Sequence, residues 1–132
     1  MTHAIRAAAV LGALAIGHAA AAEDLGQEMY TQYCATCHGA DGKGAGPLAE
    51  LLTTAPPDLT TLSAENDGAF PMLDVIHVID GRTGLRAHGG PMPVYGALLE
   101  AEMRNPGPYG AVAVTRGRIL SLAYYLESLQ EV

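Results

Sequence analysis

Cys34-Ala35-Thr36-Cys37-His38 brings two thiols and an imidazole within five residues, and these two cysteines are the only ones in the chain. Joined as a disulfide they would enclose two residues, which restricts the unfolded chain little and stabilises a fold weakly. Cofactor or redox chemistry makes better use of the spacing. In Cys-x-x-Cys-His the two thiols add across the vinyl groups of a haem, and the adjacent imidazole reaches the iron from that side. Two other chemistries share part of the pattern. A thioredoxin-like dithiol expects a strand and a helix around the motif, and half of a zinc site needs two further ligands of suitable spacing, for which there is no second cysteine pair.

A six-coordinate iron takes a second axial ligand, and a thioether suits electron transfer because a soft, neutral donor favours ferrous iron and raises the potential. Met72, Met92 and Met103 lie downstream of the motif. Met92 stands between Pro91 and Pro93, where constrained backbone loses little entropy on ligation. Met72 opens an apolar helix face and reads as core packing; Met103 lies among charged and polar residues and reads as surface. The expected axial pair is therefore His38 and Met92. Arg82, Arg86 and His88 flank the Met92 loop and are candidate partners for haem propionates, with ordinary solvation as the alternative. His77 is expected on the wet side of its helix, away from the iron.

The elements that must position these residues read as helices joined by long loops. Asp24 can cap a helix running to about Tyr33, on which Leu25 and Met29 share one face and Gly26, Tyr30 and Tyr33 the neighbouring one. From Gly39 to Pro57, glycine and proline are dense enough to break regular structure and suggest loops wrapping around something, with a helical turn at Leu48 to Leu52. Thr60 to Asn66 reads as a short helix or turn. Pro71 to Asp80 reads as a helix, with Met72, Val75, Ile76 and Ile79 at helical spacing and Gly81 as its stop. Gly84 to Gly96 and Asn105 to Gly110 read as loop. The last helix is expected from about Thr115 to Leu129, with Ile119, Leu122, Leu126 and Leu129 in one apolar stripe beside Tyr125. No alternating strand pattern competes, so the class is all-α, with about four to five helices.

At 132 residues there is room for one domain. Hydrophobic residues make up 49% of the chain, yet there is no Trp and one Phe, so large aromatic core-fillers are scarce; this composition permits a bound haem at the centre, with an Ala/Leu-rich helical core as the alternative. Residues 1–22 read as a secretory signal: Arg6, an alanine-rich apolar run, then Ala20-Ala21-Ala22 as a small-residue cleavage site. The run is short for a membrane span and is interrupted by Gly17 and His18. An uncleaved anchor is the alternative, and membrane attachment is expected in that case alone. The mature domain is 23–132. Loss of Arg6 would deepen the formal charge of −7 by one. So acidic a surface argues against nucleic acid and anionic lipid as partners and favours a partner with a basic docking patch, although acidity also serves simple solubility.

These residues resemble the class I c-type cytochromes over most of the mature chain. Gly26 and Tyr30 stand eight and four residues before Cys34, where that family has a glycine and an aromatic that let the first helix cross the last closely; Leu122 and Tyr125 match its contact positions on the last helix. Gly42-Lys43-Gly44-Ala45-Gly46-Pro47-Leu48 is similar to the loop whose proline carbonyl, here on Pro47, accepts a hydrogen bond from the axial histidine, which fixes the ring and makes it more electron-donating. Met92-Pro93-Val94-Tyr95-Gly96 is similar to the family's ligand loop. The resemblance implies a cytochrome c-like fold around one haem c, covalent through Cys34 and Cys37, with Pro47 and Tyr95 beside His38 and Met92.

Two features depart from the family pattern. The stretch Ala97 to Thr115 is longer than in minimal members, leaving Asn105-Pro106-Gly107-Pro108-Tyr109 as a partner-contacting loop or as neutral decoration. The chain also has a single lysine, Lys43, where the best-known mitochondrial members carry a lysine-rich docking face. The expected function is that of a periplasmic single-electron carrier without enzymatic activity, docking transiently with redox proteins at its haem edge. The alternatives are a haem subunit of a larger dehydrogenase or oxidase complex, and a five-coordinate haem enzyme or gas-binding protein.

Overall fold

The computed structural model describes residues 24–82, 92–103 and 107–131. Among them the regular elements are all helical, as the sequence pattern requires. Helix α1 covers 24–33, and α2 is the single turn Ala35–His38 that follows it. The Cys34 N–H donates to the Tyr30 carbonyl at 2.8 Å and the His38 N–H to the Cys34 carbonyl at 2.9 Å, so the cysteine motif rides on the end of the first helix. Short 3-10 turns follow at Ala49–Leu51 and Ala64–Asn66.

Helix α3, Met72–Asp80, buries Val75 and Ile79 and leaves His77 and Leu73 exposed. It stops where expected: Gly81 takes a left-handed φ of 64°, and its N–H donates to the His77 carbonyl at 3.0 Å. Helix α5, Gly107–Ser128, supplies Ile119, Leu122, Ala123 and Leu126 to the core. Met29 and Tyr30 of α1, Val75 and Ile79 of α3 and Leu99 meet them there. Each fully buried Leu or Ile contributes roughly 1.5–3 kcal/mol.

The first and last helices touch backbone to backbone. A Cβ on Gly26 would meet the Ser121 carbonyl oxygen at less than contact distance and the Tyr125 Cβ at 2.8 Å, and the Tyr30 and Tyr125 rings lie 5.3 Å apart. Glycine at position 26 is thus the condition of the crossing.

Two expectations need correction. A helix, α4, spans Tyr95–Ala101, where the Met92 loop was expected to continue through Gly96. Pro93 and Gly96 looked like breakers, but Pro93 lies before the helix begins, and Gly96 is buried because α4 meets the end of α3 there. The last helix also begins at Gly107, eight residues earlier than expected, so Gly107 to Gly110 are its first turn and not loop. Pro108 is compatible with a first turn, whose N–H groups have no intrahelical acceptor. In the interior of this helix, Gly117 faces open space.

Candidate functional site

His38 is buried at the end of α2, with its Nδ1 3.3 Å from the carbonyl oxygen of Pro57. A carbonyl only accepts, so Nδ1 carries the proton and donates, and Nε2 keeps its lone pair. Burial lowers the imidazole pKa, partly opposed by the bond to Pro57. Pro57 thus holds the ring from behind in one orientation. The acceptor expected at Pro47 is found at Pro57, and Pro47 itself is exposed. The reason lies in the loop: Gly44, at φ 80°, lets the Pro56-Pro57 backbone pass so close that a Cβ would overlap the Pro56 carbonyl oxygen and meet that of Pro57 at 3.2 Å. Asp58 then turns the chain, its carboxylate accepting from the Thr60 N–H at 2.8 Å and from the Thr60 hydroxyl at 2.6 Å.

Cys34 and Cys37 are both free thiols. Burial, with a smaller contribution from Cys37, pushes the Cys34 pKa up to about 12. In the folded chain before haem attachment, Cys34 is thus expected to react with iodoacetamide at pH 8 roughly a thousandfold more slowly than an ordinary cysteine thiol. Mass spectrometry of timed digests measures this; labelling at the free-cysteine rate would contradict the burial.

The segment after Met92 meets the motif through Tyr95. Its hydroxyl donates to the Tyr33 carbonyl at 2.7 Å, one residue before Cys34, and its pKa is raised by burial and then by both thiols. The Tyr33 hydroxyl in turn donates to the Glu102 carboxylate at 2.7 Å. Met92 is half-buried and packs against the same core as Cys34, Leu59, Leu62, Phe70, Met72 and Ile76. Met103 is half-buried rather than on the surface.

Arg82, considered above for a propionate, is instead engaged within the protein: Nε meets Asp80 at 2.6 Å and an NH group meets Glu100 at 2.5 Å, joining α3 to α4. Arg86, His88 and the signal segment 1–22 lie outside the described residues. His77 is exposed, as expected. Sequence reasoning missed Pro57, the Arg82 pairs and α4; Pro56-Pro57-Asp58 was visible only as a turn signal.

The donor set fits a haem c. Two unpaired thiols and an imidazole with its outer nitrogen pinned share one helical turn, and Met92 is half-buried against the same core that Cys34 packs on. The other two chemistries fare worse. The motif follows a helix rather than the strand a thioredoxin-like dithiol expects, and among the described residues no group of three or more His, Cys, Asp or Glu side chains is placed to hold a metal ion. Nor is any helix among those residues long and apolar enough to cross a membrane. A family model described as Cytochrome c matches residues 23–109. No curated protein and no solved structure matches the chain.

Proposed function

The chain belongs to the cytochrome c family, whose members carry electrons on a haem c, and from that premise we propose that it is a periplasmic single-electron carrier with His38 and Met92 as axial ligands. The observation that carries this reading is the hydrogen bond from His38 Nδ1 to Pro57, on the same turn as two free thiols. It leaves Nε2 as the donor atom.

When bound, the haem supplies a one-electron ferric/ferrous couple. Cys34 and Cys37 fix its position covalently, and His38 keeps one orientation because Pro57 holds its outer nitrogen. Met92 offers a neutral sulfur from the half-buried edge of the core. The Tyr95 hydroxyl, bonded to the Tyr33 carbonyl, ties the segment after Met92 to the segment before Cys34. With both sides of the site anchored to one packed core, little in the protein has to move when the charge changes. The acidic surface suits transient docking with redox proteins that present basic patches.

A reduced-minus-oxidised spectrum of the exported protein tests this, with Met92→Ala as the comparison. The parent is expected to keep its haem after acid-acetone extraction and to show a methionine-iron charge-transfer band. Met92→Ala is expected to lose that band, bind carbon monoxide in the ferrous state and have a lower reduction potential. Immediate carbon monoxide binding by the ferrous parent would sink the carrier reading in favour of an open-site haem protein.

A further inference from the structure

The proximal side of the site is secured from an unexpected place. Gln130, just beyond α5, uses every hydrogen-bonding direction of its amide that its neighbours offer. Its Oε1 accepts from the Ser63 N–H at 2.8 Å, while its Nε2 donates to the Leu59 carbonyl at 2.8 Å and to the Leu126 carbonyl at 2.7 Å. The partners fix which way the amide points, since one is a donor and two can only accept. Next to it, the Glu131 N–H donates to the Thr60 carbonyl at 2.9 Å, and across the strip the Leu59 N–H donates to the Gly42 carbonyl at 2.7 Å. Residues 59–63 are thus laced between the Gly42 loop and the end of the last helix.

That strip begins two residues after Pro57, whose carbonyl holds His38. Pro57 has Gly44 beneath it on one side and the Asp58-Thr60 turn on the other. Without the amide, the strip loses its tie to α5 at both Leu59 and Ser63, and the Pro57 carbonyl gains freedom to drift from a contact already at 3.3 Å. An imidazole with a weaker acceptor behind it is less electron-donating, which favours ferrous iron.

We infer that Gln130 is a positioning residue for the axial histidine: through Leu59 and Ser63 it sets the strength of the His38–Pro57 hydrogen bond and thereby the reduction potential. The inference rests on His38 being the iron ligand.

The test compares holoprotein carrying Gln130→Ala, Gln130→Glu and Lys43→Met. The glutamate keeps the shape and the acceptor for Ser63 but turns a carboxylate toward two carbonyls. Lys43→Met removes the neighbouring exposed side-chain ion pair to Glu131, 2.5 Å long, while leaving every hydrogen bond of the strip itself in place, so it controls for general loosening of this end. Three readouts are needed: the reduction potential, the exchange rate of the His38 Nδ1 proton by NMR in the ferrous state, and the methionine-iron band.

Both Gln130 variants are expected to raise the potential above the parent's and to speed Nδ1 proton exchange roughly tenfold, as local opening loses two or more hydrogen bonds. The methionine band and Lys43→Met should stay as in the parent. Unchanged potential and exchange in both Gln130 variants, even with a lower melting temperature, would overturn the inference and leave a tether only. Equal shifts in Lys43→Met would overturn it as well. A parent without covalently held haem or a histidine-ligated iron would instead overturn the functional reading on which it stands.

Discussion

Gly26→Ala is expected to lower the unfolding free energy by about 3 kcal/mol, seen as a lower urea midpoint at an unchanged slope. A methyl group there lands on the Ser121 carbonyl oxygen and within 2.8 Å of the Tyr125 Cβ. The first is backbone and the second is fixed to it, so no rotamer change makes room. α1 and α5 must separate, and the Tyr30–Tyr125 ring contact and the burial of Met29 and Leu122 suffer with them. The sign is informative because alanine is the better helix former by about 1 kcal/mol. Gly117→Ala in α5 meets nothing within 4 Å. It should therefore stabilise the protein by about 0.5–1 kcal/mol. If Gly26→Ala stabilises it too, the close crossing is wrong.

The second large effect is expected at Gly96. A methyl group there overlaps the Asp80 carboxylate and lies 2.6 Å from the Asp80 carbonyl oxygen and 2.7 Å from Arg82 Nε. Pushing α4 off the end of α3 opens the pairs of Arg82 with Asp80 and Glu100 and lifts Val94 from Gly81, where a Cβ would sit 3.3 Å from the Val94 Cα. Met92 is two residues from Val94. Gly96→Ala is thus expected to cost about 2 kcal/mol, to remove the methionine-iron band from most molecules at 25 °C, and to make the ferrous protein reactive toward carbon monoxide. Arg82→Lys should be milder, since an ammonium replaces a planar fork with a point charge. A Gly96→Ala protein with its band intact and its denaturation midpoint unmoved would contradict this account.

Much of the fold was legible because its signals are local or periodic. The spacing of Val75 and Ile79 announced α3, and that of Ile119, Leu122 and Leu126 announced the core of α5; both faces are buried. Gly26 and Tyr30 drew attention through resemblance, and they do meet Ser121 and Tyr125. The failures share one cause. Pro93, Gly96, Gly107 and Pro108 were read as breakers, but proline is tolerated at or before a helix start, and a glycine inside a helix can be required by a neighbour. That neighbour, Asp80, is distant in sequence. Within the site, Cys34, Cys37 and His38 announced themselves, whereas the acceptor behind His38 depends on how a nineteen-residue excursion returns. Gln130 had no signal, since an amide's value lies in the backbone groups tertiary structure brings to it.

The crossing of α1 and α5 also sets an order of events. α1 comes early in the chain and α5 follows the other helices, so their contact closes a loop of nearly the whole domain. Until α5 has been made and has docked, α1 and the turn that follows it have no finished core to sink into. Cys34, half-buried once α5 is in place, is before that an open thiol on a solvated chain. The crossing thus makes the burial of Cys34 depend on a helix from the far end of the chain.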